Sequence, residues 1–348
     1  MKRILVSEAG GTLTRNFVSS VRTAPEKYYI IGISSNIYEL PLSNADENYL
    51  VPPARNPKFI PVLNRIIKKT RAEFLHSQHD KVIKVLSRNA SNIQTSMFLP
   101  NPQTIERCID KFKSYEAWSA HGVATPKTML IQTKKDLKRA FDELGSTIWL
   151  RLREGGGGAG SCPARNLNFA TLWIDYFNGW GRFTAAEMLS PHSVTWSSIW
   201  KNGTLVVAQS RKRLHWLFGN RTLSGVTGVT GVAETVSDPQ IDKLAQKAIL
   251  ALDASPNGIF SVDITYDRRG KPKLTEINIG RFFTTIDFFT KAGLNMPYMY
   301  LKTAFGEPIP KLNKRINPLP NHLLWIRGMD TAPVLTTTKK IEHYRKNV

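Results

Sequence analysis

One acid, Asp263, and an acid and amide two residues apart, Glu276 and Asn278, stand in the neighbouring runs GIFSVDITYD and KPKLTEINIG. Both runs alternate apolar and polar residues, and the turn-forming RRGKP joins them, so they are expected to pair as a β-hairpin. Side chains alternate across a strand, which puts Glu276 and Asn278 on one face. With Asp263 on that face too, three oxygen donors converge on a rigid support, leaving positions for phosphate oxygens and water. That is the coordination Mg²⁺ takes, with Mn²⁺ as its substitute. The alternative for the same residues is a solvated strand face.

A second group of residues suits anions. The segment TIWLRLREGGGGAGS reads as a strand carrying Arg151 and Arg153 that runs into Gly155–Gly160. Residues without Cβ let backbone N–H groups close around phosphate, so Gly156, Gly157 and Gly158 fit a mobile flap, against the alternative of a flexible surface turn. The Gly-Lys-Ser/Thr ending of a P-loop is missing. AGGTLTRN, after the first strand, lacks the spacing of a dinucleotide-binding turn and reads as an ordinary tight turn. Arg211, Lys212, Arg213 and Arg221 suit an acceptor carboxylate or an acyl phosphate, or else a solvated face. The glycine-, serine- and threonine-rich stretch from Arg213 to Val236 reads as a loop that orders on an anion. His76 and His79 are three apart, as metal ligands can be, but their place at the end of a short strand predicts a surface role.

The elements that position these residues are legible from periodicity. RILVSEA and YYIIGIS read as buried strands around a helical segment, and FIPVLNRIIKKTRAEFLHSQ as a helix followed by a short strand, which is βαβ order with a parallel sheet. ERCIDKFKSYEAWSAHG predicts one helix closed by Gly122. A strand follows Pro126, KKDLKRAFDELG is helical, and a further strand ends at Glu187. Two alternating runs joined by KNG then predict an antiparallel sheet, and DPQIDKLAQKAILALDA an amphipathic helix. Trp173, Trp180, Trp196, Trp200 and Trp216 fall in these runs and are expected in cores.

At 348 residues and 41% hydrophobic content the chain is long enough for two or three domain-sized units. The first residues carry too short an apolar run for a signal peptide, and no stretch approaches a membrane span. The two cysteines, Cys108 and Cys162, lie far apart and suggest neither a disulfide framework nor a zinc site. A cytoplasmic protein is expected. The formal net charge of +21, with about +6 in residues 311–348, draws anions of every kind: nucleotides, acidic metabolites or nucleic acid.

Over roughly residues 1–310 the ordered series of motifs resembles the ATP-grasp carboxylate–amine ligases, carbamoyl-phosphate-synthetase-like branch. The resemblance implies α/β and α+β architecture: an N-terminal Rossmann-like (pre-ATP-grasp) domain at 1–106, a central lobe with the glycine flap at 107–184, and a C-terminal lobe with hinge and metal hairpin at 185–310. A basic extension follows at 311–348. It further implies ATP as cosubstrate, with Lys111 reaching its phosphates and Arg151 touching phosphate and adenine. Glu187, Met188 and Leu189 of EMLS would form the adenine hinge, Asp263, Glu276 and Asn278 the metal ligands, and Arg281 a phosphate contact. Two departures stand out. The family commonly has an acid for the ribose hydroxyls a few residues after the hinge, where this chain has His192. Its Glu-x-Asn-Pro-Arg pattern is stretched here, with Ile279 and Gly280 between Asn278 and Arg281.

The activity so implied is phosphorylation of a carboxylate by ATP, then displacement of phosphate by an amine. Arg281, Arg213 and Arg221 are the candidate catalytic cations, and small carboxylates and amines the candidate partners. Two other readings stay open: the same chemistry on a macromolecule such as a tRNA, DNA or a peptide, or a non-catalytic nucleic-acid-binding protein on an ATP-grasp scaffold. Oligomeric state is not legible in the sequence.

Overall fold

The strands β1 (Lys2–Ser7), β2 (Tyr28–Ser34), β3 (Glu47–Leu50) and β4 (Phe74–His76) form a parallel sheet in the order β3-β2-β1-β4. Its helices are α1 (Thr12–Arg22), α2 (Phe59–Thr70) and α3 (Asp80–Arg88). The unbroken apolar runs explain the arrangement: Ile4, Leu5, Ile30 and Ile31 are fully buried, as in a sheet covered on both faces. The computed structural model describes residues 1–226, 228–329 and 336–346. The AGG turn has a packing cause, since a Cβ on Gly10 would lie 1.8 Å from the Glu39 carbonyl oxygen.

The single helix expected from Arg107 is two, α4 (Pro102–Ile109) and α5 (Lys111–Ala120). Asp110 interrupts them. Its backbone is extended at φ −88° and ψ 102°, and its carboxylate accepts from the backbone N–H groups of Phe112 and Lys113. Apolar spacing alone could not show that this side chain competes with the helical hydrogen bonds.

A small lobe follows: β5 (Thr128–Ile131), α6 (Lys134–Leu144), β6 (Ile148–Leu152), β7 (Cys162–Ala164), α7 (Leu167–Tyr176) and β8 (Phe183–Glu187). Its sheet order is β5-β8-β6-β7, and it has its own core of Ile131, Leu137, Ile148, Leu150, Ile174 and Phe183. The large sheet, ordered β13-β12-β9-β10-β11-β14, takes up most of the remaining chain. Its elements are β9 (Ser193–Lys201), β10 (Thr204–Leu217), β11 (Val229–Val236), α8 (Pro239–Leu250), β12 (Gly258–Tyr266), β13 (Pro272–Ile279), α9 (Asp287–Lys291), α10 (Met296–Ala304), β14 (Leu324–Ile326) and α11 (Thr338–Lys346).

Alternation divides the large sheet. Val194, Trp196, Phe260, Val262 and Ile277 pack with α8 and with Trp118 of α5. Thr195, Ser197, Ser261 and Asp263 alternate with them and form a polar face, where the Ser197 and Ser261 hydroxyls meet at 2.9 Å. Beyond it, Ile199, Val207 and Ile259 join Phe282, Phe289 and Tyr300 in one core with Phe17 and Phe74 of the N-terminal sheet. The N-terminal sheet and the large sheet are thus fused by apolar burial.

Two further expectations are revised. The stretch from Arg213 onward is largely strand: β10 runs through a bulge to Leu217 and pairs with β11, leaving 218–228 as the connection, of which Thr227 is outside the described residues. His76 is not at the surface. It is fully buried, stacks on Phe17 at 4.2 Å, and burial pushes its pKa down to about 3, so it is neutral. The segment from 311 onward is bound to both sheets, because β14 pairs with β11 and α11 lies against β3; residues 330–335 and 347–348 of that segment are outside the described residues. Trp196, Trp200 and Trp216 are buried, and Trp173 and Trp180 pack on the small lobe's core. No helix among the described residues is long and apolar enough to cross a membrane.

Asp110 caps α5 and accepts a bidentate pair from Arg153 at 3.1 and 2.6 Å. Asp110→Ala is expected to lower unfolding free energy by about 1–2 kcal/mol in urea melts, with most of the loss recovered in Asp110→Asn, which keeps a capping oxygen.

Candidate functional site

The hairpin is observed as β12 and β13, with Asp263 opposite Glu276 and Ser261 opposite Asn278. Asp263 is almost fully buried. It accepts from Thr195 Oγ1 at 2.6 Å, Arg213 Nη2 at 2.6 Å and Asn278 Nδ2 at 3.2 Å, which places Asp263 and Asn278 on one face. Burial opposes its charge, yet the Arg213 guanidinium and the Thr195 hydroxyl hold its carboxyl below the usual range. Among the described residues no three His, Cys, Asp or Glu side chains gather; the donor set is two carboxylates and an amide. Hard oxygens of that kind fit a hard divalent cation.

Cations surround this set. Lys111, the first residue of α5, donates from Nζ to the Gly155 carbonyl at 2.7 Å and lies 3.8 Å from Glu276 Oε2. Burial lowers its pKa and the Glu276 charge resists that shift. Arg151, near the end of β6, donates from Nη2 to the Thr275 carbonyl at 3.1 Å, reaching from the small lobe to the hairpin. Burial lowers its pKa as well, against the pull of Glu276. Arg281 donates to both oxygens of Asp80, the Nη2 contact being 3.2 Å, and to Asn278 Oδ1. Asp80 opens α3; burial opposes its charge and Arg281 more than offsets that. Above this pair lies the flap, where a Cβ on Gly156 would stand 3.7 Å from Asp80 Oδ2. Gly157 and Gly158 have φ of +66° and +77°, which side chains rarely tolerate.

At the hinge, Glu187 ends β8 and accepts the Lys127 N–H at 3.0 Å, and the Ser190 N–H donates to the Tyr266 carbonyl at 2.8 Å. Between them Met188 and Leu189 leave the sheet and are half-buried. The structure therefore brings together Lys111, Arg151, Arg213, Arg281, Asp263, Glu276 and Asn278. It does not bring in Arg221, which is exposed and stacks over Phe218 at 5.2 Å, or His192, which is exposed and whose backbone N–H meets Ser190 Oγ at 3.1 Å.

Sequence reasoning missed Asp80 and Thr195. Thr195 sits in an alternating run on the face of Asp263 and could have been found by register; Asp80 carries no local signal. Also missed is an acidic pair, Glu8 just past β1 and Glu39 in the connection after β2: the Ser34 hydroxyl lies 3.2 Å from Glu8 Oε2 and 3.1 Å from Glu39 Oε2. Burial, then repulsion by Glu39, raises the Glu8 carboxyl above its ordinary range.

This combination of sheets, flap, hinge and hairpin defines the ATP-grasp fold. Solved structures agree: the chain superposes on carboxyaminoimidazole ribonucleotide synthase of Aspergillus clavatus complexed with ATP (TM-score 0.68, 16% identity, 89% of this chain and 78% of that one). It matches L-amino acid ligase of Bacillus licheniformis similarly (TM-score 0.67, 13% identity, 87% and 74%). In sequence the chain is similar to a probable alpha-L-glutamate ligase of Rhodopirellula baltica, 26% identical over 224 residues, or 62% of this chain. The match spans about half, 53%, of that curated relative's length. No family model matches the chain.

Arg213→Met would leave the Asp263 charge buried with neutral partners. We expect a loss of about 3–5 kcal/mol near pH 7. Asp263's folded pKa lies below its unfolded value, so the stability it contributes is present above about pH 4 and lost as pH falls through the folded value. The gap between wild type and variant should therefore narrow in thermal melts carried below pH 4.

Proposed function

We propose that this protein is an ATP-dependent ligase that activates a small carboxylate as an acyl phosphate and couples it to an amine. The observation that carries the reading is the convergence of Asp263, Glu276 and Asn278 with Lys111, Arg151 and Arg281 beneath the glycine flap. The curated relative is named as a ligase, and the likeness supports the same chemistry here.

ATP fits with adenine at the Glu187–Leu189 hinge and its phosphates between Lys111, Arg151 and the flap. A divalent cation held by Asp263, Glu276 and Asn278 would neutralise charge on the phosphate oxygens. The remaining work falls to the protein's own cations, because phosphoryl transfer needs positioning and charge stabilisation rather than covalent help. Arg281, oriented by Asp80 and Asn278, would supply charge to the γ-phosphate. An oxygen of the acid attacks the γ-phosphorus, the bond to the bridging oxygen breaks, and ADP leaves. The amine nitrogen then attacks the acyl carbon, the carbon–oxygen bond to phosphate breaks, and phosphate departs. An amine arrives mostly as its ammonium form and must lose a proton before attack.

Glu276→Gln should reduce Mg-dependent ADP formation by about 10²–10³-fold while circular dichroism and melting stay as in wild type. Full turnover by that variant would remove the hairpin from the site.

Glu8 supplies a separate check, on stability alone. Its folded pKa is raised, so whatever stability it contributes exists below its unfolded pKa and is lost as pH rises through the folded one; near neutrality the charged form is a burden. Glu8→Gln is expected to melt higher than wild type at pH 7 and to lose that advantage below about pH 4. A variant melting lower at pH 7 would show that the carboxylate is structurally required.

A further inference from the structure

The large sheet splits the run Arg211, Lys212, Arg213. Lys212 pairs with Glu234 at 3.1 Å and Arg213 with Asp263 at 2.6 Å, whereas Arg211 has no carboxylate at ion-pair distance among the described residues. Arg211 is 2% exposed. Its Nη1 donates to Thr230 Oγ1 at 3.3 Å, its Nε has no acceptor, and the guanidinium stands 4.2 Å over the Phe283 ring. Burial works against its charge, and so does neighbouring Arg213, with Asp263 offsetting only part. A guanidinium does not give up its proton in a protein, so the charge remains with most of its five N–H donors unused. Leaving such a group buried opposes folding unless an anion completes it in the working state.

Its position says which anion. In the register of the sheet Arg211 lies opposite Thr195, and Thr195 opposite Asp263, so Arg211 is two strands from the metal hairpin along one row. Thr230 is the second residue of β11 and Phe283 is two residues past Arg281. Lys111 and Arg151 approach the hairpin from its other side, at Glu276 and Thr275. We infer that Arg211, with Thr230 beside it and Phe283 beneath it, is a buried seat for the carboxylate of the acid substrate, separate from the groups that hold the nucleotide. Phe283 covers one face of the planar fork, leaving its edge for the two oxygens of a carboxylate. The inference rests on the ligase reading and adds to it the residue that selects the acid.

The test uses the full chain, with Arg211→Met and Arg211→Lys. Thermal melts at constant ionic strength are recorded alone, with ATP and MgCl₂, and with acetate, succinate, glutarate or L-glutamate added to a non-hydrolysable ATP analogue and MgCl₂; inorganic phosphate serves as the competing anion. At least one acid should raise the wild-type melting temperature. Arg211→Met should melt no lower than wild type without ligand, keep the full ATP-dependent rise and lose the acid-dependent one. Arg211→Lys, which keeps the charge without the fork, should retain part of it. In turnover, KM for the acid should rise about 10- to 100-fold with KM for ATP unchanged. Each of four results would overturn the seat: no acid shifts the wild type; Arg211→Met keeps the acid-dependent rise; both variants melt well below wild type without ligand; or the ATP-dependent rise, or a rise with phosphate, is lost in place of the acid's. If wild type shows neither an ATP-dependent rise nor ADP formation, the ligase reading itself has failed, which is a different outcome from these.

Discussion

Arg281 and Asp80 are 201 residues apart in the chain, and their bidentate ion pair is where the N-terminal sheet meets the β12–β13 hairpin. Asp80 opens a helix, so its carboxylate also sits at the positive end of α3. Arg281 in turn holds the amide of Asn278, which faces Asp263, and Asp263 takes Arg213 and Thr195. Charge is thus handed along one chain of contacts from the first sheet to the large one. Cut at Arg281, the chain would leave Asp80 without its cation and Asn278 without the donor that holds its amide oxygen, loosening one of the three oxygen donors.

The apolar seam makes this chain of polar contacts possible. Phe282, beside Arg281, is fully buried against Phe17 and Tyr300, which also flank His76, and its backbone N–H is accepted by Gln78 Oε1 at 2.9 Å. Well-packed aromatic neighbours fix the backbone of residues 280–283 far more tightly than a surface turn could, which is how a first shell is kept in place. His76 belongs to this seam. A neutral ring sandwiched by aromatics does the work of another aromatic, and its spacing from His79 carries no chemistry.

Where function and local pattern coincided, the sequence was transparent. Alternation and a turn signal revealed the β12–β13 hairpin and its three oxygen donors, and the unbroken apolar runs revealed a parallel sheet. Legibility failed where side chains act on backbone or across distance. Asp110 looks helix-compatible by spacing, and only its capping hydrogen bonds break the helix. The glycine- and threonine-rich composition after Arg213 suggested a loop, but pairing between β10 and β11 overrode it, as tertiary context does with β propensity. The Asp80–Arg281 pair had no local trace. Arg211, Lys212 and Arg213 were one basic run on paper; only register shows that they face three different electrostatic situations.

The small lobe has a core to itself, while α5 belongs to the core of the large sheet through Trp118, whose indole donates to the Ala248 carbonyl at 3.1 Å. Two short crossings join the lobe to the body, at residues 121–127 and 188–192. Lys111 and Arg151 therefore stand on separate bodies, although both approach Glu276. Lys111 nevertheless bridges the two, its backbone N–H donating to the Arg153 carbonyl at 2.9 Å and its Nζ to the Gly155 carbonyl at 2.7 Å, so any pivot of the lobe about those crossings would first have to unlatch α5 from the strand that carries the flap.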